Sequence, residues 1–247
     1  MNLCDAHCHL ANLSEVMPLT PLLEQAVEAG ITHFLSSALT TKDLDYYPQL
    51  INSSRIKLLY SAGIHPNFEP CDLRFENIEK LCQNRSIWAI GEIGLDRANS
   101  EYALMKDIFV RQLDLALEYR LPVVLHIVGH QSEAFEIMRS YPLKYLIHGY
   151  AGKIEALRQF LRLDSYFTIS ERILKEDKAD ILREMLKSRR FLFETDITQY
   201  YVKEGEENPL LRLKTLLNDV AERYHIDPDI LMRIQAANYR LLTGQTI

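Results

Sequence analysis

Eight short apolar runs recur along the whole chain, at residues 3–9, 32–37, 57–64, 87–92, 123–128, 145–148, 166–169 and 191–194, each followed by a longer segment of helical character. Parallel strands need a crossover to bring the chain back, and a helix is the usual crossover, so this alternation specifies βα units on a parallel sheet. One helical segment carries Met105, Phe109, Leu113, Ala116 and Leu117 at three- and four-residue steps. Ile154, Leu157 and Leu161 form a later stripe, as do Leu213, Leu217, Val220 and Tyr224. Thr20-Pro21 predicts an N-cap followed by proline at the first helical position, with Gly30 ending that helix in a left-handed conformation. Asp227-Pro228 starts one more helix near the C-terminus.

Eight such units and an extra C-terminal helix close most simply as a single-domain α/β protein, a (β/α)8 barrel over residues 1–247. A chain of 247 residues with 47% hydrophobic content can bury one core of that size, and no repeat or Pro/Gly/Ser-rich linker divides it. The competing doubly wound sheet would place a glycine-rich phosphate loop after its first strand, where this chain has His7 and His9.

Net charge −6 and a pI near 5.8 exclude a broadly basic surface, although a local cationic cleft or a bound metal still attracts phosphate. Cys4, Cys8, Cys71 and Cys82 form no C-x-x-C pair and no dense disulfide framework, which predicts a reducing, cytoplasmic setting. No segment stays apolar for the roughly 20 residues that span a bilayer, so no membrane partner is expected. No obligate protein partner is inferred.

Chemistry-bearing residues gather at the ends of the apolar runs. His7 and His9 alternate with Cys8, so both imidazoles point to one face and can grip one ion. Glu92 sits inside the apolar, glycine-flanked run Ala89-Ile90-Gly91-Glu92-Ile93-Gly94, where a carboxylate needs a cation to offset its desolvation. His126 and His148 each end an apolar run. Glu194 and Asp196 share a face by parity, so spacing does not choose between them. Because barrel sites form at the C-terminal ends of strands, Asp196 is the expected ligand, with Glu194 deeper in an ion pair. His33, His130 and His225 lie away from strand ends and are expected to pack or face solvent.

Asp5-Ala6-His7-Cys8-His9-Leu10, Gly63-Ile64-His65-Pro66, Gly91-Glu92-Ile93-Gly94-Leu95-Asp96, Leu125-His126, Ile147-His148-Gly149 and Glu194-Thr195-Asp196 occur in that order. Together with Asn238-Tyr239-Arg240-Leu241-Leu242 they cover essentially the full chain, and the set resembles the TatD family of metal-dependent deoxyribonucleases. The resemblance implies a TIM-like barrel carrying two divalent ions (Mg, Mn or Zn) that cleaves phosphodiester bonds of DNA, in the manner of a 3'-5' exonuclease. It implies that His7, His9, Glu92 and Asp196 hold the first ion, and that Glu92 bridges to a second completed by His126 and His148. It also implies that His65 faces the substrate phosphate, so that Glu92, Asp196 and His65 are the catalytic set. Two ions about 4 Å apart lower the pKa of a water between them and neutralise the attacking and leaving oxygens.

Three positions depart from the family pattern. Val128 stands two residues after His126, where a polar or cationic side chain is frequent; Ile197-Thr198 replaces Ser-Pro after Asp196; Arg97-Ala98 replaces an aromatic pair after Asp96. Arg97 and Arg172 are candidates for the missing phosphate cation, since guanidinium pairs well with phosphate. Lys187-Ser188-Arg189-Arg190 precedes a strand and reads as a solvated run on the opposite face. Apolar Val128 keeps an alternative in play, an amidohydrolase-type enzyme acting on an amide, ester or lactone. A non-catalytic binding module is opposed by the intact ligand set.

Overall fold

The computed structural model describes residues 2–53 and 56–247. Eight strands, β1 (Leu3–Cys8), β2 (Ile31–Ala38), β3 (Lys57–Ala62), β4 (Ile90–Asp96), β5 (Val123–Val128), β6 (Tyr145–Ile147), β7 (Ser165–Ile169) and β8 (Phe191–Phe193), pair in parallel in sequence order. Helices fill the returns: α1 (Leu10–Leu13), α2 (Leu19–Glu28), α3 (Thr41–Ser53), α4 (Phe75–Gln83), α5 (Tyr102–Tyr119), α6 (Gln131–Met138), α7 (Ile154–Phe160), α8 (Ala179–Ser188) and α9 (Arg212–Tyr224), with α10 (Pro228–Thr243) as the extra C-terminal helix.

The seam between β8 and β1 closes the barrel. Asp196 N–H donates to the His7 carbonyl and His9 N–H to the Ile197 carbonyl, both at 3.0 Å. Below them the buried Asp5 carboxylate accepts the Thr195 N–H at 3.0 Å and its hydroxyl at 2.5 Å. Burial pushes the Asp5 carboxyl up to about 7 in spite of those bonds.

Residues from successive strands fill the interior: Cys4 and Ala6, Leu35, Leu59, Val124, Leu146, Tyr166 and Leu192 form one apolar cluster with Ala89, just before β4, and with Tyr239 and Leu242 of α10. The larger core lies between the strands and the helices. The last helix is tied to β8 by its polar face. Gln235 accepts the Phe193 N–H, and the Asn238 amide donates to the Arg189 and Phe191 carbonyls, each at 2.8 Å.

Several local expectations need correction. The fourth strand starts at Ile90 and runs through Asp96 instead of occupying 87–92; its register with β5 shifts between Ile90 and Ile93 and then runs on regularly from Ile93 to Asp96, with Gly94 at φ +145°. The second helix starts at Leu19 with Pro18 as its N-cap, which puts Pro21 still within the first turn where a missing N–H costs nothing. Gly30 does follow that helix at φ +88°. On α5 the stripe Met105, Phe109, Leu113 and Ala116 is buried, but Leu117 is 42% exposed, since it falls 100° round the helix from Ala116. Arg190 is not wholly solvated; its guanidinium donates to the Leu161 and Leu163 carbonyls.

Candidate metal centre

All the expected ligands stand at the C-terminal mouth of the barrel, where each strand hands over to its loop. Glu92 is at the centre. Its Oε2 lies 3.3 Å from His7 Nε2 and 3.5 Å from His9 Nε2, and Asp196 Oδ1 lies 3.7 Å from both nitrogens. Donors bound about 2.1 Å from a tetrahedral ion stand about 3.4 Å from one another, and His7, His9 and Asp196, like His7, Glu92 and His148, are close enough together that each trio could hold a cation. His7 Nε2 is buried without a hydrogen-bond partner, as expected of a nitrogen whose lone pair is reserved for an ion.

The other oxygen, Glu92 Oε1, faces a second group: His148 Nε2 at 2.6 Å, His126 Nδ1 at 2.8 Å and His65 Nε2 at 3.2 Å. Tautomers separate these three. His126 Nε2 is 2.9 Å from Asp96 Oδ2, so that nitrogen carries a proton and Nδ1 is left as donor to an ion. His65 Nδ1 accepts the Asn67 N–H at 2.9 Å, which puts its proton on Nε2, the nitrogen 3.2 Å from Glu92 Oε1. His9 Nδ1 sits 3.2 Å from the Ser37 carbonyl and carries a proton, leaving Nε2 free for the first site.

The electrostatics agree. Burial alone would raise the Glu92 carboxyl, but the His148, His65 and His7 imidazoles and the His126 bond hold it well below the usual carboxylate range. Burial lowers His7 to about 4, so it is neutral and ready to ligate. Burial also pulls on His126, but the bonds to Asp96 and Glu92 outweigh it and raise the imidazole to about 9. Without an ion His126 is therefore an imidazolium donating from both nitrogens. Because its pKa rises from 6.5 to about 9 on folding, its charge stabilises the ion-free fold fully below pH 6.5, and that contribution is lost as pH climbs through 9. An ion must displace this proton. Calorimetry in buffers of different ionisation enthalpy should show release of about one proton per chain on metal uptake at pH 7, and affinity should tighten as pH rises toward 9.

Asp96 is the main residue that sequence reasoning missed. Burial raises its carboxyl, the His126 bond outweighs that, and the net value is about 2. Its signal was present, since Glu92, Gly94 and Asp96 share one strand parity. Asp96→Asn should weaken metal binding at the His126 group about 10- to 100-fold and reduce the proton release, both read by the same titration. Glu194 does lie deeper than Asp196, but its partner is not a lysine or arginine. Its Oε1 accepts the Gly149 N–H at 2.9 Å and its Oε2 faces His148 Nδ1 at 3.9 Å.

A cavity of about 400 Å³ opens above the ligands, walled by Phe68, Asn67, Thr198, Tyr200, Tyr201 and Arg172. Arg172 Nη2 lies 3.0 Å from Asp196 Oδ2, on the rim. Arg97 is exposed and packs along Gly129, outside that wall, and Val128 is 38% exposed. His33 is buried against Tyr239, while His130 and His225 adopt left-handed positions at helix ends. A larger cavity of about 820 Å³ opens at the other end of the barrel, between Trp88, Arg120, Lys144 and Arg240, but holds no histidine and no carboxylate. Donor chemistry, not size, makes the smaller cavity the candidate site.

Similarity to known proteins extends over nearly the whole chain. A family model described as TatD related DNase matches residues 4–244. A 3'-5' ssDNA/RNA exonuclease of Pantoea ananatis is 26% identical over 240 residues, 90% of this chain and 92% of that protein. A human deoxyribonuclease is 24% identical over 213 residues, 79% of this chain and 78% of that one. Among solved structures, a TatD homologue from Escherichia coli K12 superposes with a TM-score of 0.81 at 20% identity, over 98% of each chain. A TatD family hydrolase of Entamoeba histolytica gives 0.80 at 18% identity, again over 98% of each.

Proposed function

Because the chain belongs to the TatD-related DNase family, we propose that it is a divalent-metal-dependent deoxyribonuclease of 3'-5' exonuclease type, working as one hydrolase domain. The observation that carries this reading is the Glu92 carboxylate, whose two oxygens face two separate donor groups. His7, His9, Glu92 and Asp196 would hold one ion, and Glu92, His126 and His148 a second; mixed imidazole and carboxylate donors suit Zn and Mn, and phosphoryl chemistry suits Mg. When bound, two such ions supply Lewis acidity to phosphate oxygens and lower the pKa of water.

The chain's own groups do the rest. Burial works against ionisation of Asp196, but the His9 bond and the neighbouring imidazoles keep its carboxyl far below the usual range, so it stays an anion that accepts the O–H of an attacking water. His65 is lowered by burial and therefore neutral, and its Nε2–H donates to a non-bridging phosphate oxygen. Arg172 is the arginine on the rim that would meet phosphate.

No helix among the described residues is long and apolar enough to cross a membrane. The four cysteines are free, which supports a reducing cytoplasmic setting.

The test loads the purified chain with Mg, Mn or Zn in turn and offers 5'-labelled single-stranded DNA beside a panel of esters, amides and lactones. A ladder that shortens from the 3' end is expected. The single arginine at the cavity favours carbonyl substrates as the second reading, and carbonyl hydrolysis without DNA cleavage would establish it instead.

A further inference from the structure

Of all the exposed large hydrophobic side chains among the described residues, Tyr200 is the most exposed at 64%, and its neighbour Tyr201 follows at 50% among the aromatics. Both sit on the short 3-10 turn Gln199–Tyr201, three residues beyond Asp196, and line the cavity above Glu92. The turn is well anchored. Thr198 accepts the Tyr200 N–H through its hydroxyl at 3.2 Å and the Tyr201 N–H through its carbonyl at 3.1 Å; Asn12 accepts the Gln199 N–H at 2.9 Å. An aromatic ring held in water by a fixed backbone exposes apolar area without an internal partner.

The two rings are not equivalent. Tyr201 carries the Arg172 guanidinium at 5.4 Å from its centroid, and that guanidinium reaches Asp196. Among the described residues no ring contact involves Tyr200, and Phe68, braced against His65 at 6.1 Å, lines the same cavity from the loop after β3. The wall meanwhile holds one arginine and no lysine, Arg172 standing against three carboxylates, Glu92, Asp96 and Asp196. A long phosphate backbone finds no basic track here, so affinity beyond the reacting phosphate must come from the flat face of a base.

We propose that Tyr200, with Phe68 lining the same mouth, is the stacking platform for one unstacked nucleobase, while Arg172 meets the adjoining phosphate. The inference rests on the nuclease reading and adds a base subsite to it, since a terminal base freed from its neighbours offers a whole face to the ring. Stacking of this kind tolerates any base, since each has a π-face.

The experiment uses the metal-loaded chain and two single-stranded oligothymidylates, one ordinary and one whose terminal residue is abasic. KM is measured by cleavage, and Kd by fluorescence anisotropy on phosphorothioate-ended versions of the same oligomers. The wild type should prefer the base-bearing end about tenfold in both quantities. Tyr200→Ala should collapse that preference to near one, Tyr200→Trp should keep it, and all three chains should melt together. A preference that survives Tyr200→Ala, or a wild type that treats the two ends alike, overturns the stacking subsite alone. A wild type that cleaves neither oligomer while hydrolysing a carbonyl substrate overturns the nuclease reading, and the subsite with it.

Discussion

Glu92→Ala should lower kcat/KM on DNA by on the order of a thousandfold or more, and should remove metal from both donor groups in one step. His7, His9, His65, His126 and His148 all present a nitrogen within 3.5 Å of this one carboxylate. Removing it leaves His7, His9 and Asp196 for one ion and two imidazoles for the other, and neither remnant has an anion shared between them. Truncating any one histidine leaves the shared oxygen pair in place, so its metal loss should be confined to one group. Metal content per chain by mass spectrometry reads this directly. A Glu92→Ala chain that keeps two ions, or keeps cleaving DNA, would sink the assignment of the centre. Because Glu92 is buried at 2% exposure, circular dichroism and thermal melting of the variant check that it keeps the fold.

The second large effect concerns backbone. Gly94→Ala should destabilise the fold by about 3–5 kcal/mol, a shift of about 10 °C in melting temperature for a chain of this length. Gly94 sits at φ +145°, a conformation that side chains rarely adopt, and an added Cβ would run into the His126 carbonyl. That carbonyl cannot step aside, since Gly94 is paired with His126 across β4 and β5. The collision would also displace a ligand, so metal affinity should fall together with stability. Gly205→Ala is the control: it shares a positive φ, +72°, but a Cβ there meets nothing within 4 Å. It should cost about 1 kcal/mol. Equal losses in the two variants would show that dihedral strain alone matters, and would remove the steric argument.

Much of this architecture was legible before any coordinates. Strand periodicity found eight strands because parallel barrel strands are buried on both faces and read as unbroken apolar runs, as at β5, where the expected and observed limits coincide. The fourth strand was misplaced because Gly91 and Gly94 lower any propensity-based score, yet those glycines are what allow close approach to β5. The site residues were legible as types at strand ends. Arg97 and Arg172 were indistinguishable on that basis, and only Arg172 proves to line the cavity, because the loop after β4 turns its arginine along Gly129. Asp96 went unread for a related reason: a carboxylate at the end of a strand looks the same whether it binds an ion, orients a histidine or faces solvent.

The sequence by itself determined the order of strands and helices, the presence of paired histidines and carboxylates, and the end of each strand at which they stand. These are local properties, set by hydrophobic period and residue type. Tertiary structure alone decided that the two oxygens of Glu92 face different groups, that His126 offers Nδ1 while His65 donates from Nε2, and that Tyr200 stands bare above them. The nitrogen that His126 offers depends on Asp96, 30 residues away in sequence, and that of His65 on the turn that brings the Asn67 N–H onto its ring; a hydrogen bond's direction is a property of the pair that no single strand encodes.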